Sequence, residues 1–284
     1  MKDIHYYILH GLSQKIGKYL PLSLVDIGSV FESNQVFLAN LIKKIHLSRA
    51  LDPHRILDSV YENISRHKEL GYECLTPPHP SWPSNLFHIP DPPHALFSKG
   101  SFRVRPRVAI IGSRRATHEA RSEASDLGLA LAKEGFEIVC GGAFGCDIAS
   151  KLKLIQSHYA HLGTIVLPGG LLRPYPLAHI RYFDSITDHG GLIISEKFID
   201  HVPGVSDFIT RNRIIAGLSD VVILIQGDER SGSSTTVRLA LSYGRDIYVS
   251  EVAQQDSPLS KRLAAEGARF IHSRQVAEMG QNLA

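Results

Sequence analysis

Four short stretches gather hydrogen-bond donors in spacings that suit an anion. GSRR places Gly112, Ser113, Arg114 and Arg115 in a row, and CGGAFGCD sets Gly141, Gly142 and Gly145 ahead of Asp147. RNR, at Arg211, Asn212 and Arg213, follows three residues after Phe208, and SGSSTT runs from Ser231 through Gly232, Ser233, Ser234 and Thr235 to Thr236. Glycine lets a backbone amide come close to a ligand, a guanidinium can fork onto two phosphate oxygens, and hydroxyls with free amides at a helix start form an oxyanion cradle. One hydroxyl would be enough to cap a helix; SGSSTT offers five. A tight turn with solvated arginines would explain GSRR taken alone, and most glycine-rich turns are only turns. No Lys-Ser/Thr pair follows the glycines as in a Walker loop, and no carboxylate stands ready to hold magnesium beside them. The 15 histidines form neither an HExxH pair nor a cluster at ligand spacing, so no metal is expected. Together the four stretches describe a site for a phosphate-bearing ligand.

These stretches need elements to hold them, and the apolar runs supply those. VAIIG (108–112), FEIVC (136–140), TIVLP (164–168), GLIIS (191–195), VVILI (221–225), DIYVS (246–250) and ARFI (268–271) alternate with helical windows such as SEASDLGLALAKE and TVRLALSYG. Strands covered on both faces read as uniformly apolar, and parallel strands need helix-sized crossovers, so an α/β, doubly wound, mainly parallel sheet is expected from about residue 107. Ligands of such sheets sit beyond the strand carboxyl ends, where GSRR, the CGGAFGCD turn and a further turn, PGGLLRPYP (168–176), all fall. Ahead of the sheet, residues 1–68 show helical spacing at Val36, Leu38, Leu41, Ile42 and Ile45, then at Ile56, Leu57, Val60 and Ile64. Asp52-Pro53 marks the start of a helix there. Between the two units, residues 76–93 carry seven prolines, at 77, 78, 80, 83, 90, 92 and 93, which exclude a helix or a central strand. With Trp82, Leu86, Phe87 and Ile89 as anchors, residues 69–106 are expected as an extended segment packed on the sheet domain (69–284).

Composition removes other classes. The chain has 284 residues, 43% of them hydrophobic, and a formal net charge of +3, which permits a polyanionic partner without requiring one. Three cysteines, Cys74, Cys140 and Cys146, make neither a disulfide framework nor a zinc site, and point to a reducing compartment. The N-terminus MKDIHYYILHGLSQK lacks a secretory h-region and no window is apolar enough to span a membrane, so no membrane association and a cytoplasmic location are expected.

VAIIGSRRAT, GGAFGCD, PGGLLRPYP, LIISE and FITRNRIIAGLSDVVILI followed by SGSSTT resemble, in order, the motifs of the DNA-processing protein A (DprA/Smf) family, from roughly Gly71 to Ala284. That resemblance implies an extended Rossmann-like domain that binds single-stranded DNA, protects it, forms a homodimer and loads the RecA recombinase during natural transformation or recombination. It implies no catalysis and no cofactor. Carried over by motif, Gly112, Ser113, Arg114, Gly141, Gly142, Phe208, Arg211, Asn212, Arg213, Ser231, Gly232 and Ser233 would line the DNA site. The N-terminal helical unit matches the family's sterile-alpha-motif-like domain by position and character. The sequence ends without the basic winged-helix tail of many relatives, so that module is not expected.

This sequence departs from the family pattern in places. Phe144 stands where the family has arginine, Cys146 where it commonly has isoleucine, and Ser150-Lys151 where it has Ala-His. The fifth strand ends in IQG in place of V-E-A, and VSEVA replaces A-V-P-G after the sixth. Phe144 could offer a stacking face to a base, but burial is the expectation. Arg211 and Arg213 lie about 200° apart around a helix, so only one can face a given phosphate, and Glu196 is the expected partner of an arginine of this pair. The alternative is a nucleotide-sugar hydrolase of the lysine-decarboxylase-like (LOG) group, which carries PGGxGTxxE. Here PGG continues as LLRPYP, and Arg238 stands three residues after Thr235. No acid stands where that hydrolysis needs one. A dinucleotide-dependent dehydrogenase would need GxGxxG with an acid about 20 residues on, and that pattern is missing.

Overall fold

The computed structural model describes residues 2–16, 20–21, 34–44, 52–252 and 257–276; Ile45 and the chain end at 277–284 lie outside the described residues. Each of the seven apolar runs is a parallel strand: β3 (Arg107–Ile111), β4 (Glu137–Cys140), β5 (Gly163–Leu167), β6 (Leu192–Ser195), β7 (Val221–Leu224), β8 (Asp246–Ser250) and β9 (Arg269–Ile271). They are ordered β6-β5-β4-β3-β7-β8-β9. Two antiparallel strands, β1 (Glu73–Leu75) and β2 (Leu96–Lys99), extend the sheet beyond β6. The sheet is therefore α/β and mainly parallel, as expected, while the segment 69–106 is not simply extended: it adds two short edge strands, three and four residues long, that flank the proline-rich loop.

Alternate residues of each central strand serve opposite layers, because successive strand side chains point to opposite faces. Val108 and Ile110 of β3 and Val221 and Ile223 of β7 pack with α4 (His118–Lys133) and α5 (Cys146–Ile155) through Ala120, Ala124, Leu127, Ala149 and Leu154. Ala109, Ile111, Val222 and Leu224 pack the other way, onto α7 (Val205–Leu218) and α8 (Gly232–Ser242) through Ile214, Ile215, Leu218, Val237 and Ala240. The remaining crossovers are α6 (Ile180–Asp188) before β6 and α9 (Pro258–Ala265) before β9. Gly128 of α4 would place a Cβ 2.2 Å from the Ser150 carbonyl of α5, so this glycine sets how closely the two helices approach.

The N-terminal unit contains α1 (Lys2–Ile16), α2 (Asn34–Lys44) and α3 (Pro53–Glu69), joined by a small core of Ile8, Leu9, Leu12, Phe37, Leu38, Leu41, Ile56 and Leu57. Asp52 caps α3 by accepting from the His54 amide at 3.0 Å. The unit packs against the sheet domain: His67 stacks on Phe97 of β2 at 4.1 Å, Arg66 pairs with Asp200, and the Gln14 side chain donates to the Glu196 carbonyl at 3.2 Å. Trp82, Leu86 and Ile89 of the proline-rich loop are buried on α7, and Leu86 and Ile89 come against Gly217, where a Cβ would lie 3.0 Å from each. Phe87, expected as a fourth anchor, is half exposed. Among the described residues no helix is long and apolar enough to cross a membrane.

Candidate nucleic-acid interface

The chain leaves β3 for β4 on one side and returns from β6, through α7, to β7 on the other. The two strands adjoin, so the crevice at their carboxyl ends is the topological switch point of the sheet. A cavity of about 600 Å³ opens there, walled by the turn after β3, the first turn of α5, the exposed side of α7 and the start of α8.

Each wall follows from local sequence. The Ser113 amide donates to the Gln226 carbonyl at 2.7 Å, and the Cys146 amide donates to the Ser113 carbonyl at 3.2 Å, which stitches the ends of β3, β7 and α5 together. Two glycines make that stitching possible: a Cβ on Gly112 would meet Cys146 Sγ at 2.5 Å, and Gly145 has φ +77° with the Ser113 carbonyl where a side chain would begin. Burial pushes the Cys146 thiol up to about 12, so it is a packing group and not a nucleophile. The Ser113 hydroxyl accepts from the Arg115 amide at 3.0 Å, leaving Arg114 and Arg115 exposed at the rim. Ser231 caps α8 by accepting from the Ser234 amide at 3.2 Å and lies 2.8 Å from the Ser233 hydroxyl.

The two arginines of RNR part company. Arg211 lines the cavity floor; its Nη1 donates to the Gly141 carbonyl at 2.8 Å and to the Val166 carbonyl, and its Nε donates to Asn212 Oδ1 at 3.2 Å. Burial lowers the Arg211 pKa, a pull opposed by the nearby Asp147 carboxylate. Asp147 is itself raised by burial, with Arg211 and the amides of Gly141 and Ala143 acting against that rise. Asn212 also donates to the Gly232 carbonyl at 3.3 Å, tying α7 to the start of α8. Arg213 faces away, into an ion cluster in which Nη2 meets Glu196 and Nε lies 3.0 Å from Asp91. Burial would draw Arg213 down, but Glu196 and Asp91 outweigh it and hold its pKa above the ordinary value.

Nine of the twelve residues singled out from sequence line the cavity: Gly112, Ser113, Arg114, Phe208, Arg211, Asn212, Ser231, Gly232 and Ser233. Three do not. Arg213 is turned away by helix geometry and neutralised by acids; Gly141 sits behind Arg211, where a Cβ would be 2.5 Å from the guanidinium; and Gly142, at φ +67°, makes the turn with Phe183 filling the space beside it. Phe144, expected to be buried, is about half exposed and packs edge-on to His179 at 4.5 Å, outside the cavity lining. Lys151, by contrast, is fully buried, donating to the Ile138 carbonyl at 2.8 Å, and burial lowers its pKa. Sequence reasoning passed over Val205 and Ile209, which join Phe208 and Asn212 on the cavity side of α7. Their i, i+3, i+4, i+7 spacing was the available signal. Arg114 lies over the Phe208 ring with Cζ 5.6 Å from its centroid, and Tyr175 meets that ring edge-on at 5.2 Å.

Comparison with known proteins bears on this arrangement. The family model for DNA recombination-mediator protein A matches residues 73–282. The chain belongs to this family. Within it, the chain is 34% identical over 197 residues to protein Smf of Synechocystis, an alignment covering 66% of this chain and 48% of that protein, so the chain spans about half the length of that relative. Among solved structures, it is similar to DNA processing protein A of Helicobacter pylori, described with a single-stranded DNA binding mode, at TM-score 0.66 and 31% identity over 75% of this chain and 95% of that one. DNA processing protein A of Streptococcus pneumoniae matches at TM-score 0.69 and 26% identity, over 96% of this chain and 92% of that one. The match starts at β1, so the edge strands belong to the family's domain together with the parallel sheet.

Proposed function

We propose that this DprA-family chain binds single-stranded DNA at the switch-point cavity, holding its phosphates with Arg114, Ser113, Arg211 and the start of α8. The observation that carries the reading is the convergence of three arginines, Arg114, Arg115 and Arg211, with the Ser231–Ser233 helix start in one recess. Anions are favoured at a helix N-terminus and by charge-assisted donors, and such contacts read the backbone and not the sequence. The two carboxylates that line the recess fit binding better than hydrolysis: Asp147 is held by backbone amides and Asp228 is exposed, while Glu196 lies outside it, committed to Arg213. The role is that of a binder that protects incoming single strands and hands them to the RecA recombinase, acting as a homodimer; it uses no cofactor. The similarity to a protein described with single-stranded DNA supports the ligand class.

The test is a binding titration of fluorescent dT oligomer against duplex of equal length, with Arg114→Ala alongside. Arg114 is a cleaner probe than Arg211, because Arg211 is also built into the fold through the Gly141 and Val166 carbonyls. Preferential binding of dT, weakened in the variant, is expected; equal affinity for duplex, or no effect of Arg114→Ala, overturns the assignment. A nucleotide-sugar hydrolysis assay on the same protein is expected to be blank.

A further inference from the structure

The seam between the N-terminal unit and the sheet domain holds imidazoles that DNA binding does not use. His10 of α1, His67 of α3 and His94, just before β2, are all buried in it. His67 stacks on the Phe97 ring, while His10 meets Phe97 edge-on at 5.7 Å and Phe198 edge-on at 5.0 Å, and the His10 and His94 rings lie 6.2 Å apart. From the sheet side, His94 reaches across the seam and its Nε2 donates to the Leu20 carbonyl at 2.5 Å. From the other side, Gln14 Nε2 donates to the Glu196 carbonyl at 3.2 Å and lies 3.3 Å from His10 Nε2. An amide nitrogen only donates, so His10 Nε2 is the acceptor and this imidazole is neutral. His67 is neutral by a similar argument: Nδ1 is bonded to the Asn63 carbonyl at 2.6 Å, and its buried Nε2 has no partner, so a proton there would be a donor without an acceptor.

We propose that the seam is a proton-operated latch: when His10 takes up a proton, the N-terminal unit leaves the sheet domain while each unit stays folded on its own core. Protonation turns the nitrogen that faces Gln14 into a donor facing a donor. Turning the amide over does not repair this, because Gln14 Nε2 serves both partners and an oxygen in its place would face the Glu196 carbonyl. The charged and titratable groups facing His10 come from the elements around it: His94 before β2, Lys197 after β6, Arg213 of α7 and His67 of α3. Burial first, and then all four of these, hold the His10 pKa well below the ordinary value. Burial also lowers His94, against the Leu20 carbonyl and Glu196, and His67, against the Asn63 carbonyl and Asp200. Docking therefore requires neutral imidazoles; it is complete above about pH 6.5 and weakens as pH falls below that, by about tenfold per pH unit for each proton taken up. The units can part without unfolding because Leu9, Leu12, Phe37 and Leu41 form a core separate from those on the two faces of the sheet.

The experiment follows the radius of gyration of the full chain by small-angle X-ray scattering from pH 7.5 to pH 5, with Trp82 fluorescence recorded on the same samples. Trp82 is the single tryptophan and is buried in the sheet domain, so its emission reports that domain separately. The wild-type radius is expected to rise reversibly as pH falls, with no shift of Trp82 emission. His10→Gln keeps an acceptor for Gln14 and cannot titrate, so its opening should move to lower pH, and the slope of log(open/closed) against pH should drop by about one proton. Gln14→Glu supplies an acceptor for a protonated His10 and sets a carboxylate against the Glu196 carbonyl; it should be more open than wild type at pH 7.5 and respond less to acid. A wild-type radius that stays constant to pH 5 overturns the latch. So does an expansion that carries a red shift of Trp82, which would be unfolding of the sheet domain. An acid response in His10→Gln and Gln14→Glu identical to wild type overturns it as well, and if His10→Gln fails to fold by circular dichroism, Gln14→Glu alone decides.

Discussion

Replacing Arg213 with alanine separates the two arginines of RNR most directly. The Arg213 side chain is 7% exposed, and its chief partner, Glu196, is 10% exposed, so removing the guanidinium strands a buried carboxylate. Breaking a buried pair from one side costs about 3–5 kcal/mol. Asp91 adds little to this, since its side chain is 40% exposed and solvent screens it. Against a total stability of about 5–15 kcal/mol, the loss should move the urea midpoint far to the left while leaving the chain folded in buffer. Adding Glu196→Gln to the Arg213→Ala background removes the stranded charge and is expected to recover part of the loss. Binding of dT by the folded variant, measured by anisotropy without denaturant, should stay within about twofold of wild type, because Arg213 does not reach the cavity. The reasoning is refuted if Arg213→Ala unfolds within about 0.5 kcal/mol of wild type yet loses binding about tenfold or more, for then Arg213 is a DNA clamp and the ion cluster is incidental.

Other consequences follow from the same geometry. Arg114→Ala should show the opposite pattern, an unchanged thermal midpoint with dT affinity reduced by about 1–3 kcal/mol, as expected for a charge-assisted contact. The slope of log affinity against log salt should also fall by about 0.7 as one phosphate contact is lost. Gly141→Ala would put a Cβ 2.5 Å from three atoms of the Arg211 guanidinium. Arg211 must then leave the carbonyls that hold it, and dT affinity is expected to drop by about 1–3 kcal/mol although no charge has been removed; unchanged affinity would show that Arg211 is not used. Burial holds His10, His67 and His94 below the ordinary histidine pKa, with Lys197 and Arg213 adding to the effect at His10 and Glu196 opposing it at His94. Depressed folded-state values mean that the unfolded chain takes up protons first, so stability is fully present above about pH 6.5 and falls as pH drops below it. The thermal midpoint should therefore be lower at pH 5.5 than at pH 7.5, and His10→Gln should flatten part of that dependence; a midpoint indifferent to pH over this range contradicts the account.

What could be read from sequence depended on whether a residue's role is local or set by a distant neighbour. The parallel strands were legible because burial on both faces leaves an uninterrupted apolar run, and the strand ends then located Ser113, Arg114 and Ser231 without further information. β1 and β2 were not legible: at three and four residues, beside seven prolines, they are strands only because β6 offers β2 an edge to pair with and β2 offers one to β1. Gly141 and Gly142 were assigned to the site because glycine allows close approach, but what approaches is internal, the Arg211 guanidinium and the Phe183 ring. Phe144 stayed half exposed, with only an edge-on contact to His179 on one side.

The α7 helix shows why motif and mechanism need not coincide residue by residue. RNRIIAGLS is one continuous signature, yet the helix turns its members toward three different tasks. Arg211 and Asn212 build the cavity floor and join α7 to α8, Arg213 neutralises Glu196 and Asp91 behind it, and Ile214, Ile215 and Leu218 press into the sheet. Gly217 admits the proline-rich loop through Leu86 and Ile89. Because Glu196 also receives Gln14 of α1 at its carbonyl, the ion cluster that steadies α7 adjoins one of the contacts between the N-terminal unit and the sheet domain. A change at Arg213 should thus loosen the N-terminal contact as well as the helix, while a change at Arg114 should affect neither. The two arginines can look equivalent in a binding assay run near the unfolding midpoint, and only stability measured alongside affinity tells a residue that holds DNA from one that holds the helix.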